Sequence, residues 1–355
     1  MLRIYLFDLI LFAIVSATAL HAGALTAPET PPSAWSKDSV GVQTQSEYFF
    51  SHANYGESRG SFENLSTSNK WSSFENRLKT RYGFTNAISL FGGIGASAST
   101  ATNFGVDRNN SAVNEVFAGV DFLLARRWWR VVPEFEASYP TDQTTKLQTN
   151  PLTSNGAAYA NLGVFLFKPY RYLRFEGYLG FHLPGEDLAK RFVYSLGAEI
   201  AMFGAFTVGG AVQGYESVVA DATSNAERKL TQATADATSE RFWAYNPALL
   251  EAKGWIGLRF DRSFGVRLGY AKTLNGVRTA EGQSVLLSLY YNTAGNSSGY
   301  AASSAAGQTQ RRGMPQVAPR PTTFKTAPEP NDPELFDQQK EDSALDNTER
   351  LFDHK

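Results

Sequence analysis

The sequence contains no cysteine and carries little charge, and each of these absences excludes classes of protein. Without cysteine the chain can hold neither a disulfide, a thiolate metal site nor a cysteine nucleophile. Charged residues make up 19% of the 355 residues, below the roughly 25% of ordinary soluble domains. The 33 basic and 34 acidic residues leave a net charge of −1, so the overall charge gives no reason to expect a nucleic acid as partner.

Long apolar runs are also missing after the N-terminus, and the mean hydropathy is −0.28. No later segment is apolar over the roughly 20 residues that a membrane-spanning helix needs. Aromatic residues are abundant instead, at 13% with 25 Phe and 16 Tyr, and there are 30 Gly. This composition favours strands whose side chains alternate between an apolar and a polar environment.

The N-terminus has the pattern of a secretory signal peptide. Arg3 supplies a positive charge, Leu9–Val15 is apolar, and Ala17–Ala19 and Ala22–Ala24 are both acceptable cleavage sites. An uncleaved anchor helix is the alternative, but the apolar run is too short to span a bilayer. We therefore predict a signal peptide over residues 1–24 and export of the mature chain to the outer membrane.

Composition divides the rest of the chain into three parts. Residues 25–39 are predicted to be a flexible leader, 40–292 a β-barrel, and 293–355 a disordered tail that is first Pro-rich and then acidic. The tail repeats Leu-Phe-Asp at 335–337 and 351–353. These repeats are either short anchors for a periplasmic partner or disordered filler.

Two-residue alternation is the strongest signal between residues 40 and 292. In Ser72–Phe84, for example, Phe74 and Leu78 share one face while Arg77 and Lys79 share the other. The stretch exceeds the 5–6 residues usual in soluble strands and matches the roughly 9–11 that cross a bilayer at a tilt. Similar segments predict about 12 strands, at 42–55, 71–84, 87–97, 112–124, 130–139, 157–168, 172–183, 190–201, 205–215, 248–260, 263–272 and 283–292.

The connections between these strands alternate in length. Tight connections are predicted at 85–86, 126–129, 169–171, 202–204 and 261–262, and mostly longer polar ones at 56–70, 98–111, 140–156, 184–189, 216–247 and 273–282. Short periplasmic turns and long external loops are typical of outer-membrane barrels. We predict an all-β fold, a transmembrane antiparallel up-and-down β-barrel with a disordered C-terminal tail. A soluble β-sandwich is disfavoured by the strand lengths and by dense charge of both signs on the polar face.

One turn carries a family resemblance. Residues 81–90, Arg-Tyr-Gly-Phe-Thr-Asn-Ala-Ile-Ser-Leu, resemble a turn in bacterial outer-membrane transporters of the phenol-degradation (MetA-pathway) type, and residues 259–266 are a looser copy. The resemblance implies a barrel of roughly 12 strands that passes small aromatic or apolar molecules.

Charged and polar side chains are predicted to line the lumen. By parity these are Glu75, Arg77, Lys79, Arg81, Glu115, Asp121, Arg130, Glu134, Glu136, Arg174, Glu176, Arg191, Glu199, Glu251, Lys253, Trp255, Arg259 and Arg267. The near balance of cations and anions predicts no strong ion selectivity. The set forms either a polar constriction that orients a passing solute or a paired network that holds the barrel closed.

Aromatic residues on the other face are predicted to form the membrane girdles against outer-membrane lipid. They are Tyr48, Tyr82, Trp128, Trp129, Tyr139, Tyr270 and Tyr291.

No enzymatic site, metal site or cofactor is expected. Some 12-stranded barrels are lipases, which need an activated serine close to a histidine. His182 has no serine two residues later, His52 projects toward lipid by parity, and His354 lies in the tail.

The longest predicted loop, 216–247, repeats Ala-Asp-Ala-Thr-Ser at 220–224 and 235–239 and contains a possible helix at 226–235. It is either a plug that folds inward or part of the external surface, and the sequence favours the surface. The predicted function is a passive outer-membrane channel for small solutes. The alternative is a non-conducting structural barrel that displays loops and binds a periplasmic partner through its tail.

Overall fold

The computed structural model describes residues 37–65, 68–124, 129–142, 149–170, 172–185, 188–202, 205–222, 225–260 and 263–293. The predicted signal peptide, most of the leader, the tail beyond 293 and Trp128 lie outside these residues, so those predictions stay untested. Within the described ranges, no helix combines the length and the apolar character needed to span a bilayer.

The described residues form one antiparallel sheet of 13 strands and one α-helix. The strands are β1 (Val40–Tyr55), β2 (Phe62–Asn64), β3 (Lys70–Gly83), β4 (Ile88–Asn103), β5 (Val106–Phe122), β6 (Arg130–Pro140), β7 (Tyr159–Tyr170), β8 (Leu173–Pro184), β9 (Lys190–Met202), β10 (Phe206–Val219), β11 (Ala248–Arg259), β12 (Phe264–Val277) and β13 (Thr279–Asn292). The helix α1 spans Asn225–Ala235, as predicted to within one residue.

The sheet closes on itself. Successive long strands pair in chain order, and β13 pairs with β1 from Gly41↔Asn292 to Tyr55↔Thr279. The three-residue β2 pairs with the end of β1. The predicted barrel of 12 strands is therefore confirmed, with one short extra strand.

Because the sheet is closed, the two alternating faces of each strand become the inner and the outer surface of the barrel. In β3 the side chains of Glu75 and Arg81 are buried, whereas Tyr82 is 43% exposed on the outer surface. Apolar residues that are about 40–50% exposed occur on the outside of almost every long strand, for example Leu90, Leu162, Ile256 and Leu268. The exterior is therefore an apolar belt, and the polar faces of the strands meet inside.

Two of the predicted loops are mostly strand. At 98–111, β4 and β5 continue to a two-residue turn in which Phe104 and Gly105 have φ of 49° and 80°. Positive φ at both central residues is the geometry of a type I′ turn, which matches the twist of the flanking strands. The prediction of a loop was wrong here because Phe104 replaces the Asn or Gly that usually marks such a turn.

The predicted loop at 273–282 is also strand. Val277 pairs with Ala248 of β11, and Thr279 pairs with Tyr55 of β1. Arg278 makes the connection with φ of 44°. The Thr273 hydroxyl both donates to and accepts from the backbone of Gly282, so a side chain replaces the ladder where β12 and β13 separate.

Candidate functional site

A charge network crosses the interior from β3 to β6. Arg77 lies 3.0 Å from Glu115 of β5 and 2.7 Å from Glu136 of β6, and Lys79 lies 3.1 Å from Glu134. These strands are not all neighbours in the sheet, so their side chains can meet only across the inside of the barrel. The sequence predicted these residues as lumen-lining from parity alone.

Arg81 is the most deeply buried cation of this network. Its guanidinium is 2.8 Å from Asp121 and 3.3 Å from Glu134, and all three side chains are less than 5% exposed. Ser89 also donates a hydrogen bond to Asp121. Burying charges is costly unless they are paired and hydrogen-bonded; here the charges are paired, and Arg81 and Ser89 donate hydrogen bonds to the two carboxylates.

Aromatic and hydroxyl groups complete the same wall. The Arg77 guanidinium lies 3.6 Å from the ring centre of Phe117, and the Lys79 amine lies 3.6 Å from that of Phe91. Tyr159 and Ser138 both donate to Glu115. The cations are thus held by rings as well as carboxylates, which makes this wall a well-packed structure rather than a loose constriction.

A second network lies on the wall formed by β8, β9, β11 and β12. Glu199 accepts hydrogen bonds from Arg267 at 2.8 Å and from the Trp255 indole at 2.9 Å, and it forms an ion pair with Arg174 at 3.3 Å. A Cβ atom added at Gly209 would lie 2.4 Å from the Trp255 ring, so the glycine is required for the indole to lie flat on the wall.

A cavity of about 40 Å³ remains beside this wall. Phe165, Tyr178 and Trp255 line it together with Lys253 and Arg267. Since a water molecule needs roughly 10–15 Å³ by this kind of measure, the cavity holds a few waters. An organic solute does not fit there in this conformation.

The remaining predicted lumen residues also lie on the inner face. Arg191 is buried with its guanidinium 5.1 Å from the ring centre of Tyr215, and Glu251 is buried and accepts from Gln213 at 2.7 Å. Glu176 lies 2.9 Å from Arg174. Arg130 and Arg259 are half-buried and share the parity of the inward positions in their strands.

The segment between β10 and β11 folds into the barrel. We call residues 225–247, which comprise α1 and the chain that follows it, the plug. Arg241 of the plug lies 3.1 Å from Glu47 of β1 and 3.2 Å from Glu75 of β3. Phe242 is 1% exposed and packs edge-on against Trp71, whose indole contacts Phe49. The preference for an external surface was therefore wrong, because the segment buries an aromatic and a cation that match the inner wall.

Hydrogen bonds from five separate segments fix the plug. Asn54 donates to Thr238, Asn69 to Ala237, Asn103 to Ala233 and Arg108 to Thr234, in each case to a backbone carbonyl. The backbone N–H of Leu152 donates to the carboxylate of Asp236 at 2.8 Å. The plug thus starts at β10 and reaches β1, β3 and the β4–β5 hairpin, and it covers one mouth of the barrel.

Residues 149–158 fold inward beside the plug. Ser97 and Asn114 both donate to the carbonyl of Thr153, and Leu152 is fully buried. Asn155 accepts from the backbone N–H of Trp243. Two inward segments therefore close the same end.

Two acids of the plug have raised pKa values. Burial raises the pKa of Asp236 to about 8, which the N–H of Leu152 and the Trp71 indole offset only in part. Burial also raises the pKa of Glu240 to about 7. Burial works against the charge of Arg241, but Glu75 and Glu47 outweigh it and raise its pKa.

Sequence reasoning missed Glu47 and Arg241, which carry the plug's ion pair. Glu47 precedes Tyr48, so the rule that placed Tyr48 outside also places Glu47 inside; that signal was available. Arg241 lies outside any strand, and its inward direction depends on the docking of the whole plug.

The predicted girdle residues that the structure describes lie on the exterior. These residues are 39–63% exposed, and they are Tyr48, Tyr82, Trp129, Tyr139, Tyr270 and Tyr291. Tyr82 and Tyr291 lie near the chain termini of the barrel, whereas Tyr48 and Tyr270 both pair with Val285 farther along it. Their placement at two levels fits two girdles, which remain a prediction.

His182 is part of the polar interior. Its Nδ1 lies 2.8 Å from the Asn161 amide oxygen, and its ring packs against Tyr159. Within the described ranges, no three His, Asp or Glu side chains are arranged to hold a metal ion.

Replacing Arg81 with Met is expected to destabilise the barrel by about 3–5 kcal/mol, since it removes the cation that pairs with the buried carboxylate of Asp121 and one of the two cations beside Glu134. Urea unfolding in detergent micelles, followed by the shift in gel mobility between folded and unfolded barrel, measures this loss.

The matched control is Arg59→Met. Arg59 pairs with Glu216 at 2.6 Å, but these side chains are 60% and 38% exposed, so its loss should cost at most about 1 kcal/mol. Equal costs for the two variants would show that Arg81 is not buried in a paired network.

Comparison with known proteins supports the fold. No protein-family model matches the chain, and no curated protein is similar to it in sequence. Among solved structures, an outer membrane channel from Pseudomonas putida F1 has a TM-score of 0.53 at 10% identity, over 76% of this chain and 100% of that one. The translocator domain of the autotransporter NalP from Neisseria meningitidis has a TM-score of 0.46 at 10% identity, over 82% and 95% of the two chains. A KdgM porin has a TM-score of 0.39 at 7% identity, over 70% and 98%. The first of these supports the barrel fold.

Proposed function

We propose that this chain is an outer-membrane channel for small solutes, closed at its loop end by the plug. The observation that carries the proposal is that the barrel wall and the obstruction at its mouth are built from different segments of the chain. The wall is a closed barrel with its own paired charges, whereas the obstruction at the mouth belongs to a separate segment. A segment that is covalently connected to the wall only at β10 and β11, and held elsewhere by side-chain contacts, can leave without breaking the ladder.

The apolar belt supports the membrane location. Water-exposed Leu, Ile, Val and Phe on the outside of almost every strand would form a patch larger than soluble monomers carry, while lipid covers such a surface at no cost. Closed barrels of this kind occur in bacterial outer membranes with their termini and short turns on the periplasmic side. On that orientation the plug closes the external mouth.

The packing of the interior favours small solutes over large ones. Its charges are paired across the lumen, and the cavity beside Trp255 holds a few waters, which supports a narrow rather than a wide aqueous path in the closed state. The turn at residues 81–90 supports the finer proposal of a phenol-degradation type transporter, which would pass small aromatic or apolar molecules. We propose no enzymatic activity, because His182 is engaged by Asn161 rather than placed to activate a nucleophile.

The second candidate is a non-conducting structural barrel that binds a periplasmic partner through its tail. The observation that favours it is the strength of the two wall networks, which would hold a lumen shut even without the plug.

Single-channel recording of the mature chain in a planar bilayer tests the proposal. A channel gated by the plug is expected to give stepwise current of low open probability, since the closed state dominates. A barrel that folds but gives no step at any applied voltage, with or without its plug, would support the structural candidate.

A further inference from the structure

The guanidinium of Arg241 fills a preformed site on the inner wall. One terminal nitrogen lies 3.1 Å from Glu47 and 3.2 Å from Glu75, and the central carbon Cζ lies 3.9 Å from the ring centre of Phe49. Two carboxylates and an aromatic face are a chemical combination that recognises organic cations.

Side chains of the wall contribute to the geometry of this site. Ser284 of β13 donates to Glu47 at 2.5 Å, and Ser73 of β3 donates to Glu75 at 2.7 Å. Strand residues therefore help to orient both carboxylates, whose oxygens also accept from Arg241.

Arg241 does not use all of its hydrogen-bond donors in this site. Its side chain is 7% exposed, and its buried Nε–H donates to no residue that the structure describes. A buried donor without an acceptor carries a free-energy cost. A free cation, which is not tethered to a plug, can turn to place all its donors.

The tether also constrains Arg241. Ala237, Thr238 and Trp243, which flank it, all have positive φ between 52° and 73°, a region in which the backbone of residues other than glycine is strained. Backbone strain therefore offsets part of the free energy that the plug gains from its contacts when it is docked. An untethered ligand carries no such strain.

We infer that Arg241 is a tethered competitor, and that the Glu47, Glu75 and Phe49 site binds a guanidinium or ammonium group of a solute when the plug is displaced. The inference rests on the proposed channel function and names a solute class for it. A ligand that binds only the displaced state shifts the equilibrium toward that state, so such a cation both occupies the site and opens the mouth.

The first test measures binding without relying on current. Full-length mature Arg241→Gln protein in detergent micelles is titrated by calorimetry with ethylguanidinium chloride, and separately with ethylurea, its neutral counterpart of the same shape. Ethylguanidinium should bind at least about tenfold more tightly, because charge-assisted hydrogen bonds are the stronger ones. Adding Glu47→Gln and Glu75→Gln should remove the preference, and Arg59→Gln, which retains Arg241, should show the weaker binding of the wild type.

Equal affinity for the two probes, or a preference that survives the loss of both carboxylates, would overturn the inference. If Arg241→Gln does not fold, Arg241→Lys serves instead, because its single ammonium bridges the two carboxylates less completely and should leave the site easier to occupy.

The second test separates this inference from the channel function. In planar bilayers, ethylguanidinium should increase the open fraction of the wild type several-fold while ethylurea does not. A binding preference with no current in any variant would support the site and count against the channel. Current with no binding preference would support the channel and overturn the site.

Discussion

Replacing residues 225–245 with a short Gly-Ser linker is expected to raise the time-averaged conductance by on the order of tenfold or more, because conduction needs a continuous wet path that the plug interrupts. The linker has little distance to cover, since the backbone N–H of Asp221 already donates to the Asn246 side chain at 2.7 Å. The β10–β11 ladder from Phe206↔Leu258 to Tyr215↔Leu249 lies outside the replaced residues. The barrel should therefore fold, which its heat-dependent gel mobility checks.

A matched replacement identifies the plug as the cause. Residues 58–61 lie in an exposed loop between β1 and β2, and exchanging them for Gly and Ser should leave the conductance unchanged. If the variant without its plug folds but passes no current, the Arg77–Glu136 and Glu199 networks themselves close the lumen. The structural candidate would then be favoured over the channel.

Most of the barrel could be predicted because its signal is local. A strand that faces lipid on one side and a packed polar interior on the other must alternate, and the alternation of Phe74, Leu78 and Tyr82 with Glu75, Arg77 and Arg81 is sufficient to orient β3. The same parity predicts that Arg77 and Glu136 point inward. It does not predict that they touch, because that depends on the tilt and register of the strands between them.

The segments that the sequence analysis placed wrongly depend on contacts between residues far apart in the chain. The strands beyond 97 and before 112 continue because the ladder between β4 and β5 runs to Asn103↔Val106, although their polar composition is that of a loop. For residues 216–247 the sequence favours the external surface because long external loops are ordinary in such barrels. The inward fold of the plug depends on Trp71, Glu75 and Glu47, which lie more than 150 residues earlier in the chain.

Raising the pH from 5 to 8 is expected to weaken docking of the plug by about 4 kcal/mol, at 1.36 kcal/mol per pKa unit. Asp236 has a pKa of about 8 when docked, against an ordinary value near 4 when released into water. Between these values the docked form keeps a proton that the released form has lost. Docking is therefore most stable below pH 4, weakens as the pH rises, and levels off above pH 8.

The neighbouring charges act in the same direction or stay constant. Glu240 has a docked pKa of about 7, raised mainly by burial and further by Glu63 and Glu57, while Lys229 and Arg278 lower it in part. It therefore adds to the loss of docking between pH 5 and 7. Arg241 does not titrate in this range because its pKa is raised. The open fraction in planar bilayers should consequently increase from pH 5 to pH 8.

Asp236→Asn separates this titration from general effects of pH on the barrel. Asparagine has the shape of the protonated acid and can still accept the hydrogen bond from Leu152, so the variant should keep its plug docked at pH 8 and retain only the smaller pH dependence of Glu240. A wild-type open fraction that stays constant between pH 5 and 8, or an Asn variant with the full dependence, would show that ionisation of Asp236 does not control the plug. Because Asp236 and Arg241 lie on the same segment, alkaline pH and an organic cation should open the wild type additively, and the Asn variant should respond to the cation with only the smaller pH dependence of Glu240.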